Sequence, residues 1–183
     1  MWTRALPGFE PDSMWLVNRS HWSPSGGSRY EPIVAGDQSA DPGDLLAFKL
    51  LGLRSPDRRY LLDVDSYQAI EPEGDSLTVG GEPDSRCSLI DERSMTEVVL
   101  QQCGTAGGYH WGRWLRNDSF AVGGWSDADD FGQWKQGSLW LYSLGDSSVT
   151  EYETRIVSAA AYQTYEAAWH GWLLRRYRVL KPA

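Results

Sequence analysis

The amino-acid sequence predicts a mainly β protein: an antiparallel sandwich or partly open barrel built from two four-stranded, blade-like units, with one C-terminal amphipathic helix. Three observations support this fold class. Short alternating apolar runs are separated by turn residues, one short sequence occurs twice, and aromatic residues recur at helical spacing after residue 157. We expect a single domain over residues 1–183, because a chain of this length can bury one hydrophobic core.

The repeated sequence is SLTVGG at residues 76–81, and it returns as SFAVGG at residues 119–124. An acid, Asp75 or Asp118, precedes each copy. An apolar run that ends in two glycines is typical of a strand entering a tight turn or a bulge, because Gly accepts a positive φ at no steric cost. These segments are called the first copy and the second copy below.

Residues 1–44 contain five of the nine prolines, and they predict an irregular arm with one short strand at residues 14–17. The aromatic residues of this arm argue against the alternative, disorder. Residues 45–157 are predicted to form the β core. Within the core, the apolar residues 45–51 fit either a buried strand or a short helix.

Two units of about four short strands are predicted in the core, at residues 60–103 and 109–154, and each unit contains one copy. The second unit resembles a blade of the WD40 or kelch propellers in its strand rhythm. The Trp-Asp signature of WD40 blades is absent, and closed propellers have about four to eight blades. The sequence therefore favours a sandwich or open barrel over a propeller closed by oligomerisation.

Residues 158–180 are predicted to form the C-terminal helix, with Ser158 as a suitable N-cap. Its apolar stripe consists of aromatic residues spaced three or four apart: Tyr162, Tyr165, Trp169 and Trp172. Residues 158–183 hold four bases and one acid, whereas the whole chain has a net charge of −8. Because so acidic a chain is repelled by phosphate backbones, we expect no nucleic-acid partner.

Residues 74–78, Gly-Asp-Ser-Leu-Thr, are similar to the nucleophile block of the GDSL esterases. That resemblance implies Ser76 as a nucleophile, activated by a His within a downstream Asp-x-x-His. The residues three before the histidines are Asn18, Gly107 and Ala167, so none is acidic. A hydrolase, either esterase-like through Ser76 or glycosidase-like through a carboxylate pair, is the alternative to a non-catalytic role.

Residues 125–137 form an insertion that distinguishes the second unit from the first. Asp127, Asp129 and Gly132 match positions 1, 3 and 6 of a calcium-binding loop, but position 12 is Ser138, where an EF-hand has a bidentate Glu. A solvated acidic loop is therefore favoured over a calcium site of another type, and we predict no metal and no cofactor. As the large insertion, this loop is the candidate functional loop.

The predicted contact surface combines the acids of this loop with nearby aromatic residues. Its members are Trp111, Trp114, Trp125, Asp127, Asp129, Asp130 and Trp134. Indole rings beside charged groups suit a sugar or a protein ligand, whereas packing in the core is the structural alternative. We therefore predict a non-catalytic binding or interaction protein, with a protein or carbohydrate ligand, and no catalytic residue.

Cys87 and Cys103, the two cysteines, would either form a disulfide or remain thiols. No apolar run is long enough for a membrane-spanning helix. The first residues do not form a signal peptide. If a leader has been removed, the protein would be periplasmic or secreted, and otherwise cytoplasmic, so compartment and oligomeric state are left open.

Overall fold

The computed structural model describes residues 14–22, 28–29, 52–64, 68–73, 76–81, 84–164, 167 and 174–175. Across this part of the chain the protein consists mainly of antiparallel strands, with a short helical segment at residues 159–164. The strands are β1 (Trp15–His21), β2 (Ser28–Arg29), β3 (Leu53–Arg54), β4 (Tyr60–Asp63), β5 (Gln68–Glu73), β6 (Ser76–Gly81), β7 (Ser85–Asp91), β8 (Thr96–Cys103), β9 (Gly107–Arg116), β10 (Ser119–Asp127), β11 (Trp134–Ser143), β12 (Ser148–Glu153) and β13 (Val157–Ser158). The predicted fold class is confirmed.

The six-stranded sheet contains the whole of the second unit. Its order is β1-β12-β11-β10-β9, and the short β13 pairs with the start of β11. Strands β9 to β12 therefore form a continuous antiparallel meander, as predicted. The strand predicted at residues 14–17 is present and longer than predicted, and it extends this meander at the β12 side.

The first unit is divided between two sheets. Strands β4, β7 and β8 belong to a five-stranded sheet of order β2-β8-β7-β4-β3, whereas β5 and β6 form a two-stranded ribbon of their own. The first copy is therefore β6, in the ribbon, and the second copy is the first part of β10, in the middle of the six-stranded sheet. Both copies form a strand, but the strand order around them differs.

The core lies between the six-stranded and the five-stranded sheet, which makes the described architecture a sandwich rather than a closed barrel. Its buried members come from both sheets: Leu62, Val64, Cys87, Leu89, Tyr109, Phe120, Val122 and Tyr142. The Phe120 ring stacks on Tyr142 at 4.9 Å between centroids. Burial raises the pKa of the Tyr109 and Tyr142 phenols, so both hydroxyls stay protonated.

Several predictions for the chain ends fall partly outside the described residues. The C-terminal helix is described only at residues 159–164, 167 and 174–175. Of its predicted apolar stripe, Tyr162 is described, and Tyr165, Trp169 and Trp172 lie outside. Most of the predicted arm, residues 1–44, and all of residues 45–51 also lie outside. The two cysteines are thiols, with Cys87 buried in the core.

Candidate functional site

The predicted functional loop is a hairpin between β10 and β11. The strand ladder continues almost to its end, because Trp125, Ser126 and Asp127 pair with Gly137, Gln136 and Lys135. The main-chain N–H of Ala128 then donates to the carbonyl of Trp134 at 2.9 Å. Only residues 128–133 lie beyond the strands. We call these six residues together with Trp134 the hairpin tip.

Asp129 holds the hairpin tip in shape. Its carboxylate accepts a hydrogen bond from the main-chain N–H of Trp134 at 3.0 Å, and its carbonyl accepts one from Gly132 at 3.3 Å. Gly132 has a φ of +64°, a left-handed conformation that favours glycine. The turn thus explains why Gly132 occurs in the calcium-like pattern. The Asp129 carboxylate accepts a hydrogen bond that stabilises this turn.

Two aromatic side chains of the hairpin tip point into solvent. Phe131 is 82% exposed and Trp134 is 49% exposed. Asp130, between Asp129 and Phe131, is exposed as well. Rings this exposed contribute little buried area to the fold, so Phe131 and Trp134 are the candidate contact residues of the hairpin tip.

Lys135 neutralises the base of the hairpin. Its ammonium forms an ion pair with the carboxylate of Asp127, the residue directly across the ladder. The same ammonium lies 4.2 Å from the centre of the Trp125 ring, within the range of a cation–π interaction. Asp127 is therefore in an ion pair. The other acidic residues of the hairpin, Asp129 and Asp130, lie in its tip.

A buried aromatic group anchors the hairpin base to its neighbours. The Trp125 Nε1–H donates to His110 Nε2 at 2.6 Å, and the Tyr162 hydroxyl lies 3.3 Å from the same nitrogen. The Trp125 and Tyr162 rings are 4.7 Å apart. His110 is 6% exposed and Tyr162 is 9% exposed. This group therefore connects β9, β10 and the helical segment 159–164 on the sheet face that points away from the core.

The structure separates the seven predicted site residues into two groups at the hairpin and two single residues on β9. At the hairpin tip it places the residues Asp129, Asp130 and Trp134. At the hairpin base it places Trp125 and Asp127, bonded as described above. Trp111 lies farther along β9, with its ring over Gly123 on the same sheet face as Trp125. Trp114 is on the opposite face, packed against the core.

Trp114 connects the two sheets of the sandwich. Its Nε1–H donates to the carbonyl of Leu53 at 2.7 Å, a bond that connects the six-stranded sheet to the five-stranded one. Its ring also lies 5.0 Å from that of Phe120. These contacts use both the apolar body and the polar atom of the indole, so we do not include Trp114 in the contact surface.

Sequence reasoning missed three residues of this region: His110, Lys135 and Tyr162. Lys135 could have been predicted from the sequence, because the antiparallel register of the hairpin places it opposite Asp127. His110 and Tyr162 are 52 positions apart in sequence. No local pattern connects two such distant residues, so their contact required the folded chain.

Other exposed apolar side chains lie at the same end of the six-stranded sheet as the hairpin tip. Ile156 immediately precedes β13, which pairs with Trp134 and Lys135, and it is exposed. Trp15, also exposed, lies opposite Glu153 at the end of β12. Exposed apolar residues thus occur on three parts of this end of the sheet.

Ser76, the predicted esterase-like nucleophile, and two carboxylates of β12 have structural contacts. The Ser76 hydroxyl is exposed and donates to the carbonyl of Glu73 at 2.8 Å, a bond that closes the turn of the β5–β6 ribbon. Glu151 accepts a hydrogen bond from Trp140 Nε1 at 2.9 Å, and Glu153 accepts one from Gln136 at 3.0 Å. Within the described residues, no three His, Cys, Asp or Glu side chains converge as metal ligands would.

Comparisons of the chain with protein-family models, with curated proteins and with solved structures find no match. The described helical residues also include no helix with the length and apolar character needed to cross a membrane. The chemistry of the hairpin is therefore the basis on which a function is proposed.

Proposed function

We propose that the protein is a non-catalytic interaction protein and that the hairpin tip is its contact surface for a protein partner. The observation that carries this proposal is the exposure of Phe131 and Trp134 on a turn that is held in one shape. Asp129 fixes the tip, and the pair of Lys135 with Asp127 fixes the base. A preorganised turn loses little conformational entropy on binding, which favours affinity.

The shape of the surface favours a protein over a carbohydrate. Small ligands bind in concave sites that bury most of their surface, whereas Phe131 projects from the end of a hairpin. Sugar recognition uses flat indole rings flanked by polar groups, but Trp114 packs on the core and Trp125 holds His110. A projecting aromatic side chain instead resembles the anchor residues that fill a pocket of a protein partner.

The charge of the hairpin tip indicates the character of the partner. Asp129 and Asp130 directly precede Phe131, and the nearest base in the sequence, Lys135, is paired with Asp127. A partner with an apolar pocket and a rim of Lys or Arg would be complementary to this surface. Charges at the rim mainly raise the association rate, so association is expected to slow as salt concentration rises.

The proposal is tested by site-specific photo-crosslinking followed by affinity measurement. A photoreactive phenylalanine analogue is placed at position 131 in the full chain, and in a matched control at position 115, where Leu115 is also exposed. We expect one protein to be crosslinked from position 131 only. With that protein purified, Phe131→Ser should weaken binding about 30-fold or more, as an anchor residue does, and Leu115→Ser less than about threefold.

Asp130→Asn separates the charge from the anchor. It should lower the association rate about two- to fivefold and flatten its salt dependence, with the dissociation rate nearly unchanged. The proposal fails if positions 131 and 115 crosslink the same proteins, or if Phe131→Ser binds the partner as tightly as the wild type does. If the wild type binds a glycan array and Trp134→Ala does not, the ligand is a carbohydrate and not a protein.

A further inference from the structure

Strand β1 ends the six-stranded sheet and is exposed along its whole length. Among the described strands, β12 pairs with one side of β1, and no strand pairs with the other side. All seven side chains of β1 are exposed. Trp15, Leu16 and Val17 follow one another, and each is between 46% and 48% exposed. An edge strand presents main-chain N–H and C=O groups to its surroundings, so β1 is a template for a further strand.

The two edges of this sheet differ in their protection against pairing. The opposite edge, β9, carries two exposed bases, Arg113 and Arg116. Charged side chains on an edge strand discourage pairing with another chain. β1 carries one charged residue, Arg19, and a bulge, next to three consecutive apolar side chains. Because consecutive residues of a strand point to opposite faces, Trp15 and Leu16 leave apolar area on both faces of the sheet.

We propose that β1 is a self-association surface, which pairs antiparallel with β1 of a second copy of this chain. Pairing at the edge contacts both faces of the sheet at once, because the side chains of the added strand stand beside those of β1 on either face. A two-fold axis near Leu16 places Leu16 opposite its own copy and Trp15 opposite Val17 of the second copy. β1 and the hairpin tip are different surfaces, so this association does not depend on the proposed partner.

The charges of β1 favour a second copy at this position. The strand contains one base and no acid, whereas the whole chain has a net charge of −8. Two copies therefore meet where neither strand carries an acid. Each Arg19 is three positions from Leu16, so with the axis near Leu16 the two arginines are about 20 Å apart along the ladder. This distance exceeds the screening length of about 8 Å at physiological salt, so their repulsion is weak.

The size of the contact indicates a weak dimer. One short strand from each copy buries less than the roughly 1,200 Å² at which standard interfaces begin. Complexes of this size are transient, and we expect a Kd of about 10–100 µM. Over longer distances the two copies repel, because each has a net charge of −8. Added salt screens that repulsion, so the dimer should become about two- to fivefold tighter between about 0.05 and 0.5 M NaCl.

Sedimentation velocity on the full chain tests this dimer. Between about 1 and 500 µM, the wild type should convert from monomer to dimer. Leu16→Lys places two ammonium groups next to each other at the axis and should raise the Kd at least about tenfold. The matched control is Leu115→Lys on the opposite edge, since Leu115 is 50% exposed and Leu16 is 48% exposed. Leu115→Lys should leave the Kd within about twofold, and so should Phe131→Ser at the hairpin tip.

Hydrogen exchange of the wild type locates the contact without a variant. We expect exchange of β1 amides to be about two- to fivefold slower at about 300 µM than at about 2 µM protein, with β9 unchanged. The proposal is overturned by a monomer at every concentration, by equal weakening in Leu16→Lys and Leu115→Lys, or by slowing in β9 instead of β1. A dimer lost in Phe131→Ser would place the contact at the hairpin tip and overturn it as well. If Leu16→Lys does not fold, the exchange comparison decides.

Discussion

The two copies of the repeated sequence form the same strand in two different environments. Among the described strands, the first copy, β6, pairs with β5 alone in a two-stranded ribbon, and its Thr78 is exposed. The second copy begins β10, which pairs on both sides, with β9 and β11. Ala121, the counterpart of Thr78, is 2% exposed. Local sequence therefore determines that a strand forms, whereas the neighbouring strands determine whether it is buried.

The two copies also differ in the segments that follow them. The first copy leads through a short connection, residues 82–84, into β7 of another sheet. The second copy continues directly into the hairpin whose tip carries Phe131 and Trp134. The second copy thus provides a base for the exposed hairpin tip, and the first copy does not lead into such a hairpin. This contrast predicts that matched substitutions in the two copies will have unequal effects.

The largest expected difference is between Ala121→Lys and Thr78→Lys. A lysine at position 121 would have to bury its ammonium or displace the elements that cover the sheet, so we expect a loss of about 3 kcal/mol or more in unfolding free energy, or failure to fold. Position 78 is already in solvent, and the loss there should stay within about 0.5 kcal/mol. Urea unfolding of both variants gives the comparison, and equal losses would show that the two strands share one environment.

A smaller difference is expected between Gly124→Ala and Gly81→Ala. A Cβ at position 124 would lie 2.5 Å from the carbonyl oxygen of Gly108, a main-chain atom that cannot rotate away. We expect Gly124→Ala to cost about 1–3 kcal/mol, as overpacking does. Gly81→Ala, in the ribbon, should change stability by less than about 1 kcal/mol. Thermal unfolding followed by circular dichroism checks both, and a neutral Gly124→Ala would remove the steric reason for that glycine.

The sequence predicted the strands better than their arrangement. Alternating apolar residues identified the strands of both units, and aromatic residues spaced three or four apart identified the helix that begins near Ser158, because these signals are local. The separation of β5 and β6 into a ribbon depends on pairing between distant segments, which no local pattern reports. The hairpin was found as an insertion, and the exposure of Phe131 and the contact of His110 with Tyr162 depended on the fold around them.

Strand β7 is the middle strand of the five-stranded sheet, and Asp91 secures its end. The Asp91 carboxylate accepts hydrogen bonds from Arg59 Nη2 at 2.9 Å and from the main-chain N–H groups of Arg93 at 2.9 Å and Ser94 at 3.4 Å. Partial burial alone would raise the pKa of Asp91, but the bonds from Arg59, Arg93 and Ser94 outweigh it and hold the pKa below its ordinary value.

Asp91→Asn should therefore have the smallest effect of the three comparisons, about 1 kcal/mol, because it removes one ion pair and weakens two turn hydrogen bonds. A carboxyl whose folded pKa is lowered contributes its stability above the unfolded pKa, about 3.9, and loses it as the pH falls through the folded value. Urea unfolding from about pH 7 down to pH 3 should show wild type and variant converging below about pH 4. A constant difference across that range would show that the Asp91 charge contributes nothing, and that only the shape of the β7–β8 turn matters.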